Sequence, residues 1–321
     1  MAAELIDQRT GRVVRLQTVV HEALPLDRLR RGLRAWDLAD ADLIGIVPGV
    51  TSDVFLVMRG DQRWVAKFAY HHRAYFEVGL RVSEIVHRRL TTEHFQVAVS
   101  VRTTDGDLTE LVEWPVGNEH PLAVISYVRG DPLTANDADD VDLCGDVCGR
   151  VHAALLDVAP DDVGIAAHAE LDDVQTETEE ATQLDRLCIE LDNRTREMRD
   201  SVRHAVSVWD GPDIRRADRS IGVLDFGHCG WHPLVHVIAN RSLNVALSDE
   251  SRLEPFLEAV ERHVPLTTEE RDAIPLYRLL NAAIYARWVA SERVARCDPS
   301  FNEHWFNELT AMLHRELPRI G

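Results

Sequence analysis

One side chain in 321 residues ends in an aliphatic ammonium: Lys67, within Arg63-Trp64-Val65-Ala66-Lys67-Phe68. Lysine and arginine together number 35, so the other 34 are arginine. A lysine that persists against such a bias does something a planar guanidinium fork cannot. It offers a compact point charge on a slim stem. Holding phosphate oxygens at the end of a strand is a task of that kind. The other reactive side chains are less directive. Cys144 and Cys148 stand four apart in a helical pattern and share a face, with no CxxC pair or histidine ligand set beside them. They read as small buried hydrophobes. His228, His232 and His236 recur every four residues, a spacing that fits no common zinc pattern. His152 falls on an apolar helix face with Cys148 and Leu155, the place of a hydrogen-bonded core histidine.

The elements around Lys67 follow from periodicity. Leu26–Leu38 has helical spacing at Leu26, Leu29, Leu33 and Trp36. Leu43–Val47, Val54–Met58 and Arg63–Phe68 read as three strands of an antiparallel meander, with the small-residue loop Pro48-Gly49-Val50-Thr51-Ser52-Asp53 at the first turn. A helical pattern covers His71–Leu90. Strands are expected at Gln96–Val101, Thr109–Val112 and Leu122–Val128. The cluster Arg129-Gly130-Asp131-Pro132 then marks a hinge. Beyond it the pattern is helical, through Val141–Leu155, Arg252–His263, Thr268–Arg293 and Asn302–Leu317, interrupted by a short strand at Ile221–Leu224. Residues 157–205 form an acidic helical segment with a solvated face.

Composition sets the outer bounds. Forty-five per cent of the residues are apolar, enough for a globular core. A net charge of −19 argues against nucleic-acid or anionic-membrane partners. The N-terminus lacks the apolar core of a signal peptide, and no run is long enough to span a bilayer. A cytoplasmic protein is expected.

The order of strand, loop, strand, lysine strand, helix, strands, hinge and helical region, followed by Val223-Leu224-Asp225-Phe226-Gly227, resembles the aminoglycoside phosphotransferase and choline kinase-like family. The resemblance runs from about Leu43 to about Leu313. Its further pieces are Phe76-Glu77-Val78-Gly79-Leu80, Val128-Arg129-Gly130-Asp131-Pro132-Leu133 and Cys148-Gly149-Arg150-Val151-His152-Ala153-Ala154-Leu155. It implies an α+β, bilobal protein-kinase-like fold. Residues 1–128 would form an antiparallel-sheet lobe with one main helix, and 129–321 a larger, mainly helical lobe. It implies ATP and Mg²⁺ as cofactors. Gly49 and Ser52 would cover the phosphates. Lys67 would hold them, and Glu77 would orient Lys67, with Glu84 as its rival. The backbone around Ser126, Tyr127 and Val128 would meet the adenine. Asp225 would bind the metal. The acceptor would be a hydroxyl of a small molecule or of Ser/Thr in a peptide. The negative charge suits a cationic one.

The family's His-Gly-Asp-x-x-x-x-Asn catalytic loop is not found. The corresponding stretch runs from Val206 to Arg216. Asp210 and Asp213 supply its carboxylates, and Arg215 stands where a metal-binding Asn is expected. His236 occupies a slot usually held by Asp. Three readings stay open: Asp210 as a relocated base, His228 as the base, or a pseudokinase that serves as a binding subunit beside a partner protein.

Overall fold

The structure, a computed structural model, describes residues 5–7, 12–14, 24–48, 52–70, 73–114, 117–133, 137–165, 179–208, 213–217, 220–295 and 300–320. The chain divides into two compact units. The first is discontinuous and holds residues 1–130 and 215–227, while the second holds 131–214 and 228–321. The class is α+β, with an antiparallel sheet in the N-terminal region and a helical C-terminal part.

The first unit is built on an antiparallel sheet. In spatial order its strands are Asp42–Pro48, Ser52–Arg59, Gln62–Ala69, Glu119–Ser126 and Ser100–Val101, and Glu110–Glu113 also pairs with Glu119–Ser126. Side chains alternate between faces along each strand. Ala66 and Phe68 turn to one face, where Leu29, Leu33, Trp36, Phe55, Val57, Leu122 and Val124 complete a core. The helix Leu26–Gly32 and the 3-10 turn Leu33–Trp36 cover that face. Ala69 and Ala123 turn to the other face and pack against Phe76 and Leu80 of the helix Arg73–Leu90. Lys67 lies opposite Val54 and Ala123 in the register, so it projects on the helix-covered side.

The single strand expected over Gln96–Val101 is two short ones. Phe95–Val97 pairs in parallel with Ser220–Leu224, and only Ser100–Val101 joins the antiparallel sheet. Nothing local in Gln96–Val101 signals that change of partner. The parallel pair delivers Asp225 to the first unit, because Ile221, Gly222 and Val223 are registered on Phe95, Gln96 and Val97.

The second unit is a helical array around the 28-residue helix Thr268–Ala295. Helices Glu179–Glu197, Leu234–Ser248 and Glu303–Ile320 pack on it, and Ala138–Ala153 packs on Leu253–Glu261. That last pair is set by glycines. A Cβ on Gly145 would fall 2.4 Å from the Phe256 carbonyl oxygen, and one on Gly149 would fall 2.6 Å from that of Val260. Within the acidic segment, Glu179–Glu197 is helical and buries Leu184 and Leu191. Residues 166–178 lie outside the described residues. The stretch read as a catalytic loop begins in a strand, His204–Val208, paired antiparallel with Cys229–Pro233. No described helix is long and apolar enough to cross a membrane.

Candidate active site

Lys67 and Asp225 meet within the first unit. The Lys67 Nζ donates to Asp225 Oδ1 at 2.9 Å. The two side chains differ in setting: Lys67 is 14% exposed and Asp225 49%. The sheet holds the lysine from both sides, and the carboxylate stands at the mouth of its own strand.

Asp225 has φ = 65°, in the left-handed region that most side chains avoid. Asp and Asn tolerate it better than other residues because their short polar groups bond locally. Here the Gly227 N–H donates to Asp225 Oδ1 at 3.2 Å, so the turn fixes the carboxylate that it displays. Gly227 keeps the space beside the pair clear. An added Cβ would lie 3.0 Å from Asp225 Oδ1 and 3.3 Å from Lys67 Nζ.

Glu77 does not reach Lys67. Its carboxylate accepts from Arg73 Nε, Arg81 Nη2 and Thr109 Oγ1, each at 2.7 Å. Burial pushes this carboxyl up, but the hydrogen bonds from Arg73 and Thr109 and the nearby arginine charges outweigh it and hold the group below its usual range. The rival Glu84 is also engaged elsewhere, with Ser100 Oγ at 3.1 Å and Arg102 Nη2 at 2.8 Å. The lysine–glutamate pair expected from the sequence is replaced by a lysine–aspartate pair. The physical reason is local: Arg73 and Arg81 flank Glu77 one turn away on either side of the same helix face.

The same helix makes a contact that the sequence reading overlooked. A Cβ on Gly79 would sit 1.8 Å from the Phe226 carbonyl oxygen and 2.9 Å from its carbonyl carbon. Only glycine lets the helix Arg73–Leu90 touch the backbone beside Asp225. A signal existed, since glycine on the buried face of a long helix is unfavourable by about 1 kcal/mol and needs a packing reason.

The remaining predicted residues fall as follows. Ser52 opens the strand Ser52–Arg59 and is buried. Gly49 lies outside the described residues. Beside Ser52, the buried Asp53 accepts the Leu24 N–H at 3.0 Å, tying the loop's end to the segment before the first helix. The Ser126 N–H, in the stretch expected to meet the adenine, is taken by the Val99 carbonyl at 2.9 Å. Tyr127 carries the Arg63 guanidinium 5.9 Å from its ring centre. Asp210 lies outside the described residues, and Asp213 begins the strand Asp213–Ala217.

In the second unit, the buried His152 shares its Nδ1 with the Cys148 carbonyl at 2.7 Å, the core histidine that its helical position suggested. His236 Nε2 donates to Asn281 Oδ1 at 2.8 Å, and Asn281 Nδ2 donates back to the His236 carbonyl at 3.1 Å. His236 is buried. It is a core group rather than a substitute carboxylate. Among the described residues there is no cluster of His, Cys, Asp and Glu that could hold a metal without help from a ligand.

Comparison with solved structures places this architecture. A microcompartment-associated aminopropanol kinase matches with a TM-score of 0.71 at 16% identity, covering 91% of this chain and 97% of that one. An amicoumacin kinase in complex with AMP-PNP, Ca²⁺ and Ami matches at 0.65 and 12%, covering 87% and 90%. An aminoglycoside phosphotransferase from Alicyclobacillus acidocaldarius matches at 0.58 and 12%, covering 95% and 98%. The fold is protein-kinase-like. Its structural neighbours are aminoglycoside phosphotransferases and choline/ethanolamine kinase-like proteins. No family model matches the sequence, and no curated protein matches it. At 16% identity and below, the likeness is one of fold.

Proposed function

We propose that this chain is an ATP- and Mg²⁺-dependent phosphotransferase acting on a hydroxyl of a small, cationic acceptor. The observation that carries the reading is the Lys67–Asp225 pair. A cation and a carboxylate, 158 residues apart in sequence, are held 2.9 Å apart by two separate strands and a glycine-bounded turn.

The donor set fits a nucleotide and its metal. Lys67 supplies a point charge for phosphate oxygens, and Asp225 supplies the hard oxygen ligand that Mg²⁺ favours alongside phosphate and water. Gly227 leaves no side chain between them. Bound there, Mg²⁺ would neutralise charge on the phosphate oxygens. Gly49 and Ser52 cover the phosphates in this reading, and Tyr127 and Val128 meet the base. In the reaction the acceptor oxygen forms a bond to the γ-phosphorus. The bond from that phosphorus to the bridging oxygen breaks, and ADP leaves. The acceptor's proton passes to a carboxylate, for which Asp210 and Asp213 are the candidates.

Neighbours whose names give an acceptor include kinases of aminopropanol, amicoumacin and ethanolamine and a spectinomycin phosphotransferase. A chain with a net charge of −19 suits acceptors bearing an amine. A second reading, a non-catalytic nucleotide-binding subunit of a peptide-modifying complex, is favoured by one feature. Val206–Arg216 contains no His-Gly-Asp.

Incubation of the purified chain with ATP, Mg²⁺ and a panel of amino alcohols, aminoglycosides and Ser/Thr peptides tests both. Phosphorylated amino alcohol or aminoglycoside supports the first reading. Tight ATP binding without transfer to any acceptor supports the second. No ATP binding at all would overturn both.

A further inference from the structure

We infer that the helix Arg73–Leu90 positions the Asp225 carboxylate through the backbone contact of Gly79 with Phe226, and that Glu77 fastens this helix rather than orienting Lys67. The inference deepens the phosphotransferase reading and rests on it.

The geometry leaves little slack. Gly79 sits on a helix face packed by Phe76, Val78, Leu80 and Val82, all buried. The face therefore cannot rotate without emptying the core against Ala69 and Ala123. Phe226 follows Asp225 directly and precedes Gly227, whose N–H holds Asp225 Oδ1. The Phe226 carbonyl shares a peptide unit with the Gly227 N–H, so a push on it reaches the carboxylate through that hydrogen bond. The left-handed backbone at Asp225 is a sparsely populated conformation that the surrounding contacts must hold in place.

Glu77 is held on the opposite terms. Its two oxygens accept three hydrogen bonds at 2.7 Å from Arg73, Arg81 and Thr109. Thr109 is buried beside the strand Glu110–Glu113, so the bond from its hydroxyl joins the helix to the sheet. Reaching Lys67 would sacrifice these bonds, and Lys67 already has Asp225. Gly79 is therefore a positioning residue for the metal ligand. What the helix controls is the gain in nucleotide affinity that the metal provides.

Calorimetry of ATP binding to the full chain, in MgCl₂ and in EDTA, reads this directly. Gly79→Ala should cut the Mg²⁺-dependent gain by on the order of tenfold or more, as expected for a ligand displaced by a fraction of an ångström. Its affinity in EDTA should stay within about twofold. Gly145→Ala, which crowds a backbone oxygen in the second unit, should lower the melting temperature and keep the gain. Glu77→Gln should lower the melting temperature and leave both affinities within about twofold. A folded Gly79→Ala chain with the full Mg²⁺ gain would overturn the inference. So would a Glu77→Gln chain that loses ATP as completely as Lys67→Ala, and this second variant decides if Gly79→Ala does not fold. Wild-type chain that binds ATP equally well in MgCl₂ and EDTA would count against the phosphotransferase reading itself, and against this inference with it.

Discussion

Lys67 points its ammonium at Asp225, not at Glu77, and the distance is that of a charge-assisted hydrogen bond, 2.9 Å. The pair joins the middle of the antiparallel sheet to the end of the strand Ser220–Leu224, and both partners belong to one compact unit.

Loss of either partner should be costly for activity. Lys67→Ala should lower kcat/KM by on the order of 10²–10³-fold, the range for removing a preorganised charge in an active site. Lys67→Arg should not restore it, because the planar fork spreads a charge that the ammonium concentrates. Asp225→Asn keeps the tolerance for left-handed backbone and removes only the charge. It should bind ATP in EDTA and lose the response to Mg²⁺. Unchanged turnover in Lys67→Ala would remove the basis of the proposed function.

A second prediction concerns stability. Glu270 is fully buried and accepts from Arg203 Nε at 2.8 Å and Nη2 at 2.7 Å, and from the Arg203 and Thr267 backbone N–H groups at 3.0 Å. Burial pushes its carboxyl up, and the Arg203 hydrogen bonds more than offset that. Arg203→Ala strands this charge and should cost about 3 kcal/mol, the lower end of the range because Arg203 is 40% exposed. The double variant Arg203→Ala/Glu270→Gln should recover part of the loss in urea unfolding.

Acid should weaken the helical unit. Burial pushes His152 and His232 down to about 4 and His236 down to about 3, with His232 adding to the effect on His236. In the unfolded chain these rings titrate near 6.5. Between the two ranges the unfolded state binds more protons. The contribution is therefore complete above about pH 6.5 and is lost as pH falls towards 4 and 3. Melting temperature should drop steadily between pH 6.5 and 4.5. His236→Gln, which cannot be protonated, should flatten the curve; an equally steep curve would remove His236 from this account.

The Asn281 side chain bridges the His236 ring and the His236 carbonyl. Asn281→Ala removes the acceptor that the buried His236 Nε2 uses and should cost about 1–3 kcal/mol, the range for one such group. Thermal unfolding measures it. A loss below about 0.5 kcal/mol, the scale of an ordinary surface change, would show that relaxation or water replaces the bridge.

Much of this was readable from residues alone, and the reasons are uneven. Lys67 was legible from composition, because one lysine among 34 arginines is a departure that needs no structure. Asp225 was legible because it ends an apolar strand in a resembling motif. The partner of Glu77 was misjudged although its evidence was local, for Arg73 and Arg81 stand one turn either side. The pairing of Phe95–Val97 with Ser220–Leu224 was out of reach, since two short apolar runs far apart carry no mark of which strand each will join. The consumption of the Ser126 N–H by Val99 was hidden for the same reason. Asp210, one candidate for the base, lies outside the described residues.

The solitary lysine has one more implication. Apart from the chain's own amino terminus, Lys67 is the one primary amine the sequence offers to an acylating reagent. It is 14% exposed and charged against Asp225, so it should be sheltered from such reagents in the folded chain. An amine-reactive probe would then report on a single side chain. Its rate of incorporation, followed by mass spectrometry of one peptide, becomes a direct gauge of whether the carboxylate, a nucleotide or neither is holding that ammonium.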